Sequence, residues 1–337
     1  DQPRSRGLGD VYKRQLKGIE ETLETKHRHI AEDEDKAKIE PQTTRQPSSW
    51  YMLIDKPGYY ELTQDIINCT YECGIYINAS NVVLDGKGHM IDGVRNKSSK
   101  YGVYVDHATN VTIRNTKIRE WYYYGIYLGY SDNNTIYNNT IQNNDYGVVL
   151  WYSDNNTIYN NTIQNNEYGI RLHYSGNNTI YGNIIQNNDY GVVLWYSDNN
   201  KIYLNNFIDN TRQYYNGGTG NIFYSPQPTT YTYKGKTYTN YTGNYWSDYT
   251  GEDKNDDGIG DTTYGPDQYP LIGIVKIENG QVIITEITDT TPPTVIIIEP
   301  ENNSVVGGVV QVNVSSSDPH GDATWLVING SVVQTWA

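Results

Sequence analysis

The chain has 337 residues, with 39 acidic against 25 basic side chains and a formal net charge of −14. That balance argues against nucleic acid or an anionic lipid surface as the main partner, because both reward clustered Lys and Arg. No apolar run approaches the roughly 18 residues needed to span a membrane, and the 34 Tyr against two Phe and two Met favour wet surfaces over a dry core.

Taken in chain order, residues 1–15 (DQPRSRGLGDVYKRQ) share nothing with the rest of the chain; they resemble translated adaptor sequence and are set aside from fold reasoning. Residues 16–48 form a charged leader with a weak helical spacing at Leu16, Ile19, Leu23 and Ile30, expected to be solvated, loosely helical or disordered. Two cysteines come next, Cys69 and Cys73 in NCTYEC. In an exported protein they would oxidise if a turn brought their Cα atoms within roughly 7 Å, and fully extended they are too far apart. The pair is a disulfide candidate, and spacing alone leaves it open.

The strongest signal is a repeat. Near-identical segments begin at Tyr124, Tyr146, Tyr168 and Tyr190, a step of 22 residues, each with three short strand-like runs separated by Asn-rich turns. Aligning the copies gives four aliphatic columns: Ile126 with Val148, Ile170 and Val192; Leu128 with Leu150, Leu172 and Leu194; Ile136 with Ile158, Ile180 and Ile202; and Ile141 with Ile163, Ile185 and Phe207. Four columns at fixed spacing make a continuous core only if each copy is one coil of a parallel β-helix stacked on the next. Asn139, Asn161, Asn183 and Asn205 recur at the second bend, where Asn tolerates left-handed backbone and stacked amides hydrogen-bond from coil to coil. Asn143, Asn165 and Asn187 suggest a second such column. Looser copies begin at Tyr101 and Cys73, giving about seven coils over residues 49–215.

The run LDGKGHMIDG (84–93), followed by the Gly-Ile/Gly-Val strands and the Asn-Asn-Thr-Ile turns, resembles the right-handed β-helix family that includes the periplasmic NosD proteins. It also resembles the wider carbohydrate-binding and sugar-hydrolase β-helix domains, and the likeness covers roughly residues 50–272. It implies an all-β fold, a right-handed single-stranded parallel β-helix, in a protein of the periplasm, cell surface or extracellular space. For activity it implies little, because such families contain enzymes, accessory factors and surface proteins. The association of NosD proteins with copper-site assembly finds only Cys69, Cys73, Met52, Met90 and His89 as soft donors, a thin set that makes copper an unlikely cofactor.

Residues 216–288 read as a C-terminal cap. Its acidic loop places Asp253, Asn255, Asp257 and Asp261 in the D-x-N-x-D-G pattern of a calcium loop, with Gly258 for the turn and Tyr264 where a bidentate Glu is usual. Structural calcium is the expectation, against a solvated acidic turn. After the linker DTTPP, residues 289–337 look like the opening strands of an immunoglobulin-like sandwich, a module of about 100 residues. The chain is therefore expected to be a fragment, ending in a partial C-terminal β-sandwich.

One strand face carries candidate chemistry. Trp151, His173 and Trp195 fall in one outward column with Arg171 beside them, on coils about 4.8 Å apart. Rings with a nearby Arg suit a polysaccharide or cell-surface glycan; the competing reading is aromatic packing beneath another segment. The carboxylates Asp145, Glu167 and Asp189 repeat with the coil, as turn-forming and solubilising residues do, so no catalytic residue is assigned. The expected function is a non-catalytic extracellular scaffold that binds polysaccharide along one face. The alternatives are a polysaccharide lyase, hydrolase or epimerase, and a periplasmic copper-assembly accessory.

Overall fold

The computed structural model describes residues 49–286, together with the short strands Ala37–Ile39, Thr294–Glu299, Asn313–Ser317, Thr324–Ile328 and Ser331–Trp336. The chain divides into two compact units, residues 1–286 and 287–337. In the second, Thr294–Glu299 pairs antiparallel with Asn313–Ser317, and Thr324–Ile328 with Ser331–Trp336. Apart from Ala37–Ile39, the leader expected at 16–48 lies outside the described residues, as does everything in the expected sandwich beyond those four strands.

The first unit is a parallel β-solenoid. Eight strands stack in parallel as the first sheet: Trp50–Ile54, Cys73–Ile77, Tyr101–Asp106, Tyr124–Gly129, Tyr146–Trp151, Tyr168–His173, Tyr190–Trp195 and Arg212–Gly217. A second eight-stranded sheet runs from Ala37–Ile39 to Lys201–Tyr203, and a third, of seven strands, from Met90–Asp92 to Tyr245–Trp246. Eight rungs stand where the repeat predicts about seven. The first, Trp50–Ile54, lacks the repeated sentence but keeps the alternation, with Met52 and Ile54 buried and paired to Ile75 and Ile77.

The register stacks like on like, Ile126 with Val148, Ile170 and Val192, and Leu128 with Leu150, Leu172 and Leu194. All eight side chains are fully buried. Nothing in one coil could shield these columns from water, so each rung depends on its neighbours for most of its apolar burial. Gly147 stands second in such a strand because a Cβ there would lie 2.6 Å from the carbonyl oxygen of Gly169 on the next rung.

The Asn columns differ from the sequence expectation by one residue in each case. Asn139, Asn161, Asn183 and Asn205 are buried and do not carry the left-handed backbone. That conformation falls on the preceding residue, Asn138, Asn160, Gly182 or Leu204. Their amides form the expected ladder: the Nδ2 of Asn139 donates to Asn161 at 3.0 Å, Asn161 to Asn183 at 3.0 Å, Asn183 to Asn205 at 2.9 Å and Asn205 to Asn244 at 2.9 Å. Each Oδ1 also accepts the main-chain N–H of the Asn one rung earlier. After the third strand, Asn143, Asn165 and Asn187 are left-handed, and the stacked ladder is Asn144, Asn166, Asn188 and Asn210. The physical reason is common to both bends. A left-handed residue turns its side chain away from the coil interior and the following residue points inward, where an amide that both donates and accepts closes a vertical chain.

Beyond Gly217 the eighth coil is completed with an excursion. Ile222 bridges to Lys201, the hairpin Thr229–Tyr233 with Lys236–Asn240 is inserted, and Tyr245–Trp246 then pairs with Asn206 and Phe207. Trp246 stacks on Phe207 at 4.3 Å and closes the fourth aliphatic column. The strands Gly273–Glu278 and Gln281–Glu286 join the inserted hairpin in a four-stranded sheet. Its Tyr231, Tyr233, Val275, Val282 and Ile284 bury with Tyr203 and Leu204 of the solenoid. Asp267 ties the closure together by accepting N–H groups of Asn244, Trp246 and Tyr269, while burial pushes its carboxyl up to about 7. Among the described residues no helix is long and apolar enough to cross a membrane.

Candidate functional site

The outward residues of the first sheet stack into rows parallel to the solenoid axis, alternating along the strand after a Tyr at its start that stands three positions before the next row. The row at the strand starts is Tyr101, Tyr124, Tyr146, Tyr168 and Tyr190, with ring centroids 4.8–5.3 Å apart. The next contains Tyr76, Tyr104, Tyr127, Val149, Arg171, Val193 and Tyr215. At the strand ends, Asp106, Gly129, Trp151, His173, Trp195 and Gly217 lie in register.

The four residues expected to contact sugar are thus neighbours. Trp151 and His173 are 4.0 Å apart between centroids, and Trp195 is 40% exposed on the following rung. Arg171 lies over Tyr146 at 5.4 Å and Tyr168 at 5.6 Å and donates to the Tyr146 hydroxyl at 3.1 Å. Burial and the Arg171 charge hold His173 below the usual imidazole range. Val149 and Val193 point outward yet are buried, lying between the tyrosine row and the Trp–His row. A third set of rings escaped the sequence reading. His107, Tyr130, Tyr152, Tyr174 and Tyr196 stack at the corner after the first strand, with centroids 4.9–5.3 Å apart. All five are left-handed, and the 22-residue spacing of the four Tyr was the available signal.

Carboxylates border the face. Burial pushes Glu167 up, and Asp145 and Asp189 on the adjoining rungs push the same way. Asp145 is also raised by burial, partly offset by Arg95, whose guanidinium lies 3.3 Å away. At the other end of the face, Trp50, Glu72, Tyr76, Tyr101, Tyr104 and Asp106 line a cleft of about 320 Å³. No motif flagged it, because its walls come from three rungs that repeat only loosely.

The acidic loop does not gather its oxygens. Asp253 accepts the N–H groups of Asp257 and Gly258 at 3.1 and 2.8 Å, Asp257 accepts that of Ile259 at 2.9 Å, and Asp261 that of Lys254 at 2.8 Å. Asn255 donates to Asp257, and Tyr264, at the position of the missing Glu, donates to Asp248. Among the described residues no three His, Cys, Asp or Glu side chains group to hold a metal. The loop carboxylates thus order the loop through its own main-chain N–H groups.

The soft donors do not fit copper either. Cys69 and Cys73 are free and buried rather than joined in the candidate disulfide. Burial pushes the Cys69 thiol up to about 11 and Cys73 well above its ordinary value, and the Cys73 thiol donates to the Ile75 carbonyl at 3.2 Å. Copper takes the thiolate, which both environments disfavour. Met52 is buried in the core, and His89 lies 3.0 Å from Asp65.

The sequence profile of the family described as periplasmic copper-binding protein (NosD) matches residues 49–251. No curated protein matches the chain. Solved structures with a similar course include the periplasmic alginate epimerase AlgG, at 20% identity and a TM-score of 0.37 over 50% of this chain and 50% of that one. The enzymatically active domain of bacteriophage CBA120 tailspike protein 2 is 14% identical, with a TM-score of 0.32 over 52% of this chain and 28% of that one. An alginate lyase from Paenibacillus sp. str. FPU-7 is 15% identical, with a TM-score of 0.31 over 50% of this chain and 56% of that one. The chain thus spans about half the length of the AlgG structure.

Proposed function

The chain belongs to the NosD family, and from that premise we propose that it is a non-catalytic scaffold of the periplasm or cell exterior that binds polysaccharide along the outward face of its first sheet. The observation that supports this reading most is the row of Trp151, His173 and Trp195 on consecutive rungs, with Arg171 alongside. Indole and imidazole present apolar, polarisable surface to the C–H face of a sugar, and a guanidinium donates to hydroxyl or carboxylate oxygens. A ligand that itself repeats would meet similar chemistry on each rung, which a flat globular surface does not offer.

The family description names copper. Among the described residues burial disfavours the thiolates of Cys69 and Cys73, and no step of the proposal passes through the metal. A catalytic reading draws on Glu167, a carboxyl raised above its ordinary value beside the face. Against it stands the repetition of that position as Asp145 and Asp189, which leaves no single acid with a distinct role.

A glycan array on the intact chain, run beside a reducing-sugar assay, tests the proposal. Binding without product release is expected, and Trp151→Ala combined with Trp195→Ala should weaken it at least about tenfold. Retention of no glycan would end the scaffold-binding reading, and steady release of reducing ends would replace it with a hydrolase or lyase.

A further inference from the structure

Most rings on this solenoid present only an edge to solvent, because a ring in a parallel stack has neighbours against both faces. Tyr130, Tyr152 and Tyr174 lie within 2° and 11° of parallel. Such ladders hold coils together and leave little face for a sugar to cover. The order breaks at the N-terminal end of the first sheet. Trp50 and Tyr76 are stacked at 5.0 Å, but Tyr104 is turned 63° from Tyr76 and 83° from Tyr127. The cleft of about 320 Å³ opens at this break, a volume at the lower end of the ligand-site range.

We propose that this cleft is a subsite for one sugar ring that carries no carboxylate, either neutral or amino-substituted. The inference deepens the polysaccharide reading above and rests on it. Trp50, Tyr76, Tyr101 and Tyr104 supply the aromatic walls, and the two charged groups in the lining, Glu72 and Asp106, are both acids. A carboxylate accepts hydrogen bonds from sugar hydroxyls, or pairs with an ammonium group. Both acids are held in place: Asp106 accepts the Tyr76 hydroxyl at 2.7 Å, and Glu72 pairs with Lys100 at 2.8 Å. A uronate would bring a further negative charge beside Asp106, where the Lys100 ammonium is already taken up by Glu72 and no Lys or Arg lines the cleft itself. Arg171 is three rungs along, about 14 Å away, farther than a Debye length at physiological salt. The two ends of the face therefore differ in charge preference, the cationic site tolerating uronates and the cleft rejecting them.

Calorimetry on the intact chain with cellohexaose, a glucosamine hexamer and an oligoguluronate of equal length tests this. The two non-uronate hexamers are expected to bind, and Trp50→Ala should weaken them about tenfold or more. Asp106→Asn with Glu72→Gln, which keeps shape and removes charge, should weaken the glucosamine hexamer and improve the oligoguluronate. Circular dichroism melts confirm that each variant is folded. Tightest binding by the oligoguluronate to the unmodified chain would overturn the proposal. So would non-uronate binding that survives Trp50→Ala but is lost in Trp195→Ala, an outcome that keeps the polysaccharide reading and discards the cleft. Binding by none of the three would discard both.

Discussion

At the scale of single residues, Asn does two different things one position apart. Asn187 is exposed and left-handed, with φ 53°, a conformation that Asn tolerates better than most residues. Its neighbour Asn188 is buried and belongs to an amide ladder. The same division separates the left-handed Gly182 from the ladder residue Asn183. Replacing Asn183 with Ala should strand the buried Asn161 main-chain N–H, which donates to its Oδ1, while the Asn161 Nδ2 keeps the Ile136 and Tyr159 carbonyls. The expected cost is about 1–3 kcal/mol, because an unsatisfied buried donor loses its hydration without compensation. Asn187→Ala should cost only about 1 kcal/mol of backbone strain. Denaturant melts of the two variants check this; equal losses would mean that the ladder contributes nothing beyond turn geometry.

At the scale of elements, the acidic loop shows how a pattern and a site diverge. Alternating Asp and Asn suit a calcium shell, but the same short side chains also accept main-chain N–H groups two to five residues away. In this loop Asp253 and Asp257 make such contacts, and Lys254 donates its own N–H to Asp261. Millimolar calcium tests the loop: if the amide contacts are all that its carboxylates make, the melting temperature moves by about 1 °C or less. A rise of several degrees that a chelator reverses would restore calcium as a structural ion. The first sheet carries the opposite lesson. Its outward positions are filled mainly by aromatic residues, yet parallel stacking removes most ring faces from use, and Trp195 and Tyr215 are the more exposed rings at its C-terminal end.

For the whole molecule, the parallel register means that contacts run from each coil to the next, so stability accumulates as a sum over neighbouring interfaces. Removing residues 146–167 would bring Ile126 beneath Ile170 and Leu128 beneath Leu172, with the Asn139–Asn183 ladder intact. Such a protein is expected to keep its β-sheet circular dichroism and melt cooperatively at a modestly lower temperature. Removing half that length should abolish folding, because strands would then meet turns. If both deletions behave alike, the coils are not interchangeable units. The cap sets a limit on this modularity, since the ladder passes from Asn205 directly to Asn244 and Asp267 anchors Asn244 in turn.

The sequence by itself determined the repeat and all that a period of 22 entails: parallel stacking, the four aliphatic columns, and the adjacency of Trp151, His173 and Trp195. These were legible because identical positions in identical coils must coincide once the coils stack. The tertiary structure alone decided matters that depend on which way a side chain turns or what distant residue meets it. The period cannot say whether Asn143 or Asn144 faces inward, since Asn143, Asn165 and Asn187 recur together with Asn144, Asn166 and Asn188. It cannot say that Asp253 and Asp257 turn to their own loop amides rather than to a shared centre. Nor could it show the cleft at Trp50, whose walls come from rungs with little in common except that the chain winds past the same place three times.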